Sequence, residues 1–244
     1  MVIPRVKSEM LIIDTPQMIE VDRLMIEEYH IELIQMMENA GRCLAIVARD
    51  VFLDKDPQEK KICILAGTGG NGGGALVSAR RLSNWGANVT VVLTDVDEKM
   101  TKVPKHQLDI LRRMNVRIST KEIINQNFDL IIDGIIGYSV KGNPYGVAKN
   151  MIDWANLNKT SVLSLDTPSG LDLTTGTIHN PTIIAEATLT LAMPKKGLFA
   201  DSALKYVGDL YLGDISVPSQ LYMEDSLNLK VENLFRYSDI LKIN

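Results

Sequence analysis

The stretch KICILAGTGGNGGGALVSARRL, residues 61–82, decides the fold of this chain. An apolar run comes first, six of the eight residues 67–74 are glycine, and a helix-like pattern follows. A loop with so few side chains lets a ligand approach the backbone closely, and the helix behind it presents amide N–H groups and a positive dipole end. The stretch therefore predicts a strand–loop–helix unit that holds a phosphate-bearing ligand by its main chain.

The same alternation of strands and helices extends from this unit through the rest of the chain. The first five predicted strand stretches are largely apolar and do not alternate, as is typical of parallel strands that are covered on both faces. The pattern predicts an α/β protein with a three-layer Rossmann-like fold, in which helices flank a mostly parallel central sheet. Strands are predicted at 62–66, 89–93, 116–119, 130–133, 162–166, 187–192 and 209–215, and helical segments at 15–50, 75–85, 105–114 and 147–155.

Length and composition limit the possible classes. The 244 residues, 45% of them hydrophobic, predict one domain over 1–244 with no fused second domain. The net charge of −4 and the lack of a basic cluster argue against nucleic acid as a partner. We expect no membrane partner and a cytoplasmic location, because neither a long apolar segment nor a secretory signal is seen. Cys43 and Cys63 lie in apolar stretches and are predicted to be reduced core residues.

Unusual residues follow three of the predicted strands, where ligands bind in open α/β sheets. The first set is the glycine loop, and the second is DGIIGYSVKGNPYG, which begins at Asp133 and contains Lys141. The third is LDTPSGLDLTTG, with Asp166 at the strand end and Ser169 beyond it. The oxygens of Asp166 and Ser169 could bind a hard cation or could cap a tight turn. The Lys141 side chain could contact a phosphate or could simply be solvated.

A dehydrogenase is one alternative that these residues leave open. Gly67, Gly69 and Gly72 match G-x-G-x-x-G, and Asp95 follows at the distance typical of a ribose-binding acid. No catalytic dyad accompanies this fingerprint, and the three histidines lack metal-ligand spacing.

Five separated motifs together resemble the NAD(P)H-hydrate epimerase family, the YjeF N-terminal domain. The motifs are MENAG (37–41), the glycine loop with LVSAR, DGIIGYSVKG, LDTPSGLD and ATLTLAMPKKGL (187–198). The resemblance implies an enzyme that interconverts the R and S epimers of hydrated NADH and NADPH, and usually a homodimer. It also implies a partner dehydratase that restores the cofactor from one epimer.

The resemblance also implies site residues. A potassium ion would be bound by Asn71, Asp133 and Ser169. Substrate contacts would come from the glycine loop, the following loop and one strand end, that is from Gly70, Asn71, Gly72, Gly73, Gly74, Gly137, Tyr138, Ser139, Val140, Lys141, Gly142, Asn143 and Asp166.

The glycine loop departs from the family pattern GxGNNGGDG. Gly70 stands in place of the first Asn, Gly74 in place of the Asp and Ala75 in place of the last Gly, while Asn71 is retained. These replacements motivate a second hypothesis, a non-catalytic nucleotide-binding or scaffolding module of the same fold. Since Asp133 and Lys141 flank one strand end, we predict Asp133 as the acid/base and Lys141 as the group that stabilises substrate charge.

Overall fold

The computed structural model describes residues 3–6, 10–120 and 126–244. Within these residues one sheet of eight strands forms the centre of the molecule. The strands are β1 (Lys61–Ala66), β2 (Asn88–Leu93), β3 (Arg117–Thr120), β4 (Leu130–Gly134), β5 (Val162–Leu165), β6 (Ala187–Leu191), β7 (Asp209–Gly213) and β8 (Ile240–Lys242).

The sheet has the order β3-β2-β1-β4-β5-β6-β7-β8. Every neighbouring pair is parallel except β7 and β8, which are antiparallel. The predicted α/β class with a mostly parallel sheet is confirmed, while the short edge strand β8 was not predicted. The strand order reverses between β1 and β4, which places a crevice between the loops that follow these two strands.

Helices cover both faces of the sheet. They are α1 (Thr15–Glu27), α2 (Leu33–Val47), α3 (Gly70–Asn84), α4 (Lys102–Arg113), α5 (Gly146–Leu157) and the single turn α6 (Leu204–Val207). Successive residues of β1 point to opposite layers, as the alternation of a strand requires. Ile62 and Ile64 pack in the cluster that includes α2 and α3, and Cys63 and Leu65 pack with Met151 of α5. Both cysteines are buried and unpaired, as predicted.

The prediction of one helical segment over 15–50 is wrong in one respect, because the segment consists of two helices, α1 and α2, with a break between them. Helix α1 begins with a side-chain cap, since Asp14 Oδ1 accepts a hydrogen bond from the Gln17 amide at 2.9 Å. It ends at Glu27, and His30 then adopts a left-handed backbone with a φ of 54°. Gly41 lies inside α2, which continues to Val47.

Helix α1 lies at the carboxyl edge of the sheet. Its Met18 and Met25 share an apolar cluster with Ala192 and Ile215, which follow β6 and β7, and with Tyr222. This packing brings one face of α1 to the mouth of the crevice.

Candidate functional site

The glycine loop is packed backbone against backbone. A Cβ atom on Gly72 would lie 2.0 Å from the Gly67 carbonyl oxygen, and one on Gly67 would lie 2.0 Å from the Ile135 oxygen. Only glycines fit this packing, and helix α3 begins among them at Gly70, five residues earlier than predicted. Gly69 is its N-cap residue and makes no side-chain hydrogen bond to the helix. The first amide N–H groups of α3 are left for an anion, as the sequence suggested.

A cavity of about 530 Å³ opens beside this loop, a size typical of small-molecule sites. Its wall is built by the glycine loop, the loop after β4, the ends of β5 and β6, and the inner faces of α1 and α2. Thr94 after β2 also reaches the wall. The three strand ends that the sequence singled out therefore converge.

Asp166 and Lys195 form a buried ion pair in the cavity wall. Lys195 is 1% exposed and Asp166 is 5% exposed, yet both line the cavity. The Lys195 ammonium group donates to Asp166 Oδ1 at 2.7 Å, to the Leu191 oxygen at 2.8 Å and to Thr190 Oγ1 at 3.1 Å. All three ammonium hydrogens are thereby used within the protein. Asp166 Oδ2 makes no hydrogen bond to the described residues and is left for a ligand.

Asp166 is held in an unusual backbone conformation. Its φ is 63°, in the left-handed region that only glycine, asparagine and aspartate enter readily. Ala192 and Ser216, which come soon after β6 and β7, have φ values of 61° and 68°. Backbone strain of this kind clusters at functional sites.

Asp133 lies behind the cavity wall and is fully buried. Its carboxylate accepts hydrogen bonds from the Ser169 hydroxyl at 2.5 Å, the Ser169 amide at 2.9 Å, Ser164 Oγ at 2.8 Å and the Ile135 amide at 3.1 Å. Burial raises the pKa of Asp133, and the four hydrogen bonds oppose that shift. These bonds tie together the loops after β4 and β5.

The predicted cation ligands form one oxygen-rich corner. Asp133 and Ser169 are in direct contact, and Asn71 packs against Gly137 of the adjoining loop, 3.3 Å from the position of a Cβ there. Asn71 Nδ2 is buried and has no hydrogen-bond partner among the residues that the structure describes, so a rotation of the side-chain amide would direct Oδ1 inward instead. Carboxylate, hydroxyl and amide oxygens fit a hard cation. Within the described ranges, no group of three His, Cys, Asp or Glu side chains forms a metal site.

The predicted substrate residues divide into two sets. The cavity wall contains Gly70, Asn71, Gly74, Gly137, Tyr138, Ser139 and Asp166. The other set lies outside the wall as the structure describes it, and consists of Gly72, Gly73, Val140, Lys141, Gly142 and Asn143. Lys141 is exposed, and Asn143 Oδ1 accepts from the Asn180 amide at 2.9 Å. The assignment of all these residues to substrate stays a prediction.

Sequence reasoning missed Lys195 and Asp22 as site residues. Lys195 lies in the motif ATLTLAMPKKGL, where a lysine inside an apolar run was an available signal. Asp22 lines the cavity from α1, and nothing in its helical pattern distinguishes it from a solvated carboxylate. Asp95, the acid of the dehydrogenase alternative, is ion-paired with Lys99 at 2.7 Å.

The fold and the site together place the chain in a class of α/β proteins that have a ligand-sized cavity at the carboxyl edge of a mostly parallel sheet. Residues 33–197 match the family described as YjeF-related protein N-terminus. The chain belongs to this family. Among the described residues, none of the helices has the length and apolar character to cross a membrane.

Relatives with assigned names cover most of the chain. It is 38% identical over 216 residues to an NAD(P)H-hydrate epimerase of Dehalogenimonas lykanthroporepellens, with 88% of this chain and 86% of that protein covered. It is 32% identical to an NAD(P)H-hydrate epimerase of Entamoeba histolytica, with 87% and 91% covered. It is also 32% identical to a bifunctional NAD(P)H-hydrate repair enzyme of Moorella thermoacetica, of which it spans only 43%.

A solved structure supports the fold alone. The crystal structure of yeast ynu0, YNL200c, superimposes with a TM-score of 0.80 at 24% identity, and covers 96% of this chain and all of that one.

Proposed function

We propose that the protein is an NAD(P)H-hydrate epimerase, an isomerase that interconverts the R and S epimers of hydrated NADH and NADPH in cofactor repair. The observation that carries the proposal is Asp166, a buried carboxylate with one free oxygen in the wall of a nucleotide-sized cavity. Relatives that share about a third of their residues over most of the chain bear the epimerase name. The reaction is taken from those relatives, and the free Asp166 oxygen is the feature of the site that supports it.

The cavity suits the two ends of such a substrate. Uncapped amide N–H groups at the start of α3 fit the negative charge of a diphosphate. Asp166 and Lys195 lie on the other side of the crevice, where the hydrated nicotinamide ring would be placed. The apolar side chains of Met18 and Met36 in the wall exclude water from this end.

One route to epimerisation breaks the C6–O bond of the hydrate. The lone pair of the ring nitrogen expels the hydroxyl group, which takes a proton and leaves as water, and water then adds to the opposite face of the iminium ion. We assign the proton transfers to Asp166, which passes a proton from the Lys195 ammonium group to the leaving hydroxyl and returns one to Lys195 when it takes the proton of the incoming water. Lys195 fixes the Asp166 side chain, since its three hydrogens are all bound within the protein.

This assignment differs from the roles predicted for Asp133 and Lys141. Asp133 is fully buried behind the cavity wall, and its hydrogen bonds join the loops after β4 and β5, so it is better suited to hold these two loops in place than to contact substrate. Lys141 is exposed beyond the cavity wall.

Epimerisation of a single NADPH-hydrate epimer, followed by chiral chromatography, tests both assignments. The parent must exceed the slow spontaneous rate. Asp166→Asn is expected to lower kcat by a factor of about 10² to 10⁴, the usual contribution of an acid–base group. Asp153→Asn, on the exposed side of α5, serves as the control for a carboxylate-to-amide change. Full activity in Asp166→Asn would overturn the assignment.

We further propose a potassium ion bound by Asn71, Asp133 and Ser169. When bound, the ion would supply the positive charge that the buried Asp133 carboxylate otherwise lacks among the described residues. Melting temperature in KCl and in LiCl at equal ionic strength is the test. The parent should be more stable in KCl, and Asp133→Asn should abolish the difference. Equal melting temperatures of the parent in the two salts would contradict the site.

The epimerase also implies a second enzyme, a dehydratase that consumes one epimer of the same hydrate. A dehydratase alone should rapidly convert only one epimer of an equilibrated mixture. Adding the protein should allow the other epimer to be consumed rapidly as well. A homodimer, which sedimentation velocity would detect, and a cytoplasmic location stay predictions.

A non-catalytic binding module remains a second candidate because of the glycine loop. A Cβ on Gly74 would lie 2.7 Å from Leu165 Cδ2, so the loop is packed for glycine where the family pattern has Asp. Tight binding of the hydrate without acceleration of epimerisation would establish this alternative.

A further inference from the structure

Tyr138 and Asp22 connect two walls of the cavity that are far apart in sequence. Tyr138 lies on the loop after β4, and Asp22 lies on α1. The Tyr138 hydroxyl group donates a hydrogen bond to Asp22 Oδ2 at 2.8 Å, and both residues line the cavity. The Tyr138 ring also packs against the apolar cluster that contains α1 and against the cluster around Leu171.

The base of the same loop is fixed by other bonds. The Ile135 amide donates to Asp133, and the Ile136 amide donates to Ser169 Oγ at 2.8 Å. These bonds hold the loop to the sheet, whereas the Tyr138 hydroxyl holds it to α1 across the cavity.

Asp22 faces charged and titratable groups from several elements. Tyr138 is in direct contact, while Lys195 and Asp166 act on it through their charges from the ends of β6 and β5, and Tyr222 faces it from the segment 219–223. Burial raises the pKa of Asp22 to about 6, with a contribution from Asp166, against the opposing effects of the Tyr138 hydrogen bond and Lys195.

We propose that the Tyr138–Asp22 hydrogen bond is a clasp that holds the loop after β4 in place at the substrate cavity, with Asp22 as a positioning residue that sets the affinity for the hydrated nucleotide. This inference rests on the proposed function for the identity of the substrate. The bond joins the loop to α1 and takes no part in the proposed bond breaking, so we expect it to act equally on the ground state and the transition state of the bound substrate. Its loss is therefore expected in KM and not in kcat.

The clasp depends on the charge of Asp22. A hydrogen bond to a carboxylate is stronger than one to a neutral carboxyl group. As the pH falls through about 6, Asp22 takes up a proton, the clasp weakens and the KM of the parent should rise.

Tyr138→Phe and a matched control test the clasp. Tyr29→Phe removes a similar hydroxyl group, which donates to Glu224 at 2.9 Å on the exposed surface outside the cavity wall. With NADPH hydrate as substrate, Tyr138→Phe should raise KM about tenfold and leave kcat nearly unchanged, as the loss of a hydrogen bond to a charged group predicts. Tyr29→Phe should match the parent in both.

The pH profile separates a clasp from a merely structural bond. The parent and Tyr29→Phe should show a KM that rises from pH 7.5 to pH 5. Asp22→Asn and Tyr138→Phe should lose this rise, and the Tyr138→Phe/Asp22→Asn double variant should have the same KM as Tyr138→Phe alone. A parent-like KM and pH profile in Tyr138→Phe, with or without a lower melting temperature, would overturn the proposal.

Calorimetric binding of NADPH hydrate distinguishes this inference from the proposed function. If the parent binds the hydrate but does not epimerise it, the enzymatic proposal fails, and a Kd raised about tenfold by Tyr138→Phe still supports the clasp. An unchanged Kd refutes the clasp alone. If the parent does not bind the hydrate at all, both proposals fall.

Discussion

The buried ion pair of Lys195 and Asp166 leads to a prediction that one variant of the pair regains its free energy of unfolding but not its activity. Lys195→Met keeps a long unbranched side chain but removes the cation that faces Asp166 Oδ1 at 2.7 Å. The Asp166 carboxylate then has no cation beside it in a buried site, where the side chains of Lys195 and Asp166 are 1% and 7% exposed, respectively. Breaking a buried pair on one side costs about 3–5 kcal/mol of the free energy of unfolding. Urea denaturation followed by circular dichroism measures this loss.

The double variant Asp166→Asn/Lys195→Met gives the sharper result. Removing both charges eliminates the unpaired carboxylate, so most of the lost stability should return. Epimerisation should nevertheless stay lost, because the proposed acid–base group is absent. Asp109→Asn breaks the exposed ion pair with Arg113, where solvent screens the charges, and should leave the urea midpoint unchanged.

Two results would refute this reasoning. One is a Lys195→Met protein with the urea midpoint of the parent, which would mean that the pair is solvated in solution. The other is a double variant whose loss of stability equals the sum of the losses in the two single variants, which would mean that the two side chains do not interact.

The remaining predictions concern the glycine loop, Asp22 and the thiols. Gly72→Ala should lower the free energy of unfolding by about 1–3 kcal/mol in urea denaturation and abolish nucleotide binding, because its Cβ would meet a carbonyl oxygen at 2.0 Å. Gly70→Asn should be tolerated, since the nearest atom to its Cβ is 3.6 Å away. The pKa of Asp22 is raised to about 6 from 3.8, so its carboxylate costs stability once the pH exceeds 3.8, and increasingly up to about 6. Asp22→Asn should therefore stabilise the protein at pH 7 in urea denaturation by on the order of 1–3 kcal/mol, with no gain at pH 3.5. Burial raises the pKa of Cys43 and Cys63 to about 12, so iodoacetamide should label neither thiol until urea is added, as mass spectrometry would show.

The central strands could be predicted from the sequence nearly to the residue. Strands β1, β2 and β4 are mainly apolar and buried along nearly their whole length, as expected for parallel strands that are covered on both faces. The antiparallel strand β8 could not be predicted, because its three residues owe their structure to pairing with β7 about thirty residues earlier.

The helix boundaries depended on contacts that a sequence does not reveal. Helix α3 begins in a run of glycines that has a poor intrinsic helix propensity, and the close approach of Gly72 to Gly67 decides its start. The break between α1 and α2 falls inside a continuous helical pattern, and the left-handed His30 makes it possible.

For the site, the sequence predicted positions better than roles. Asp166, Asn71 and Gly137 follow strands that the topology brings to one edge, so their convergence could be anticipated. The pairing of Asp166 with Lys195 could not, since it depends on how the chain turns back after β6. Lys141 was chosen because it follows the same strand as Asp133, and the structure places it on the exposed part of that loop.

Helix α1 lies outside the stretch that matches the family, which begins at residue 33. It nevertheless supplies Met18 and Asp22 to the cavity wall and packs on the segment 219–223 beyond the other boundary. A shortened protein that starts at Leu33 would keep β1, α3 and the glycine loop but would open the cavity to solvent on one side. The boundaries of the family match are therefore a poor guide for truncation, because the smallest working unit includes a helix that those boundaries leave out.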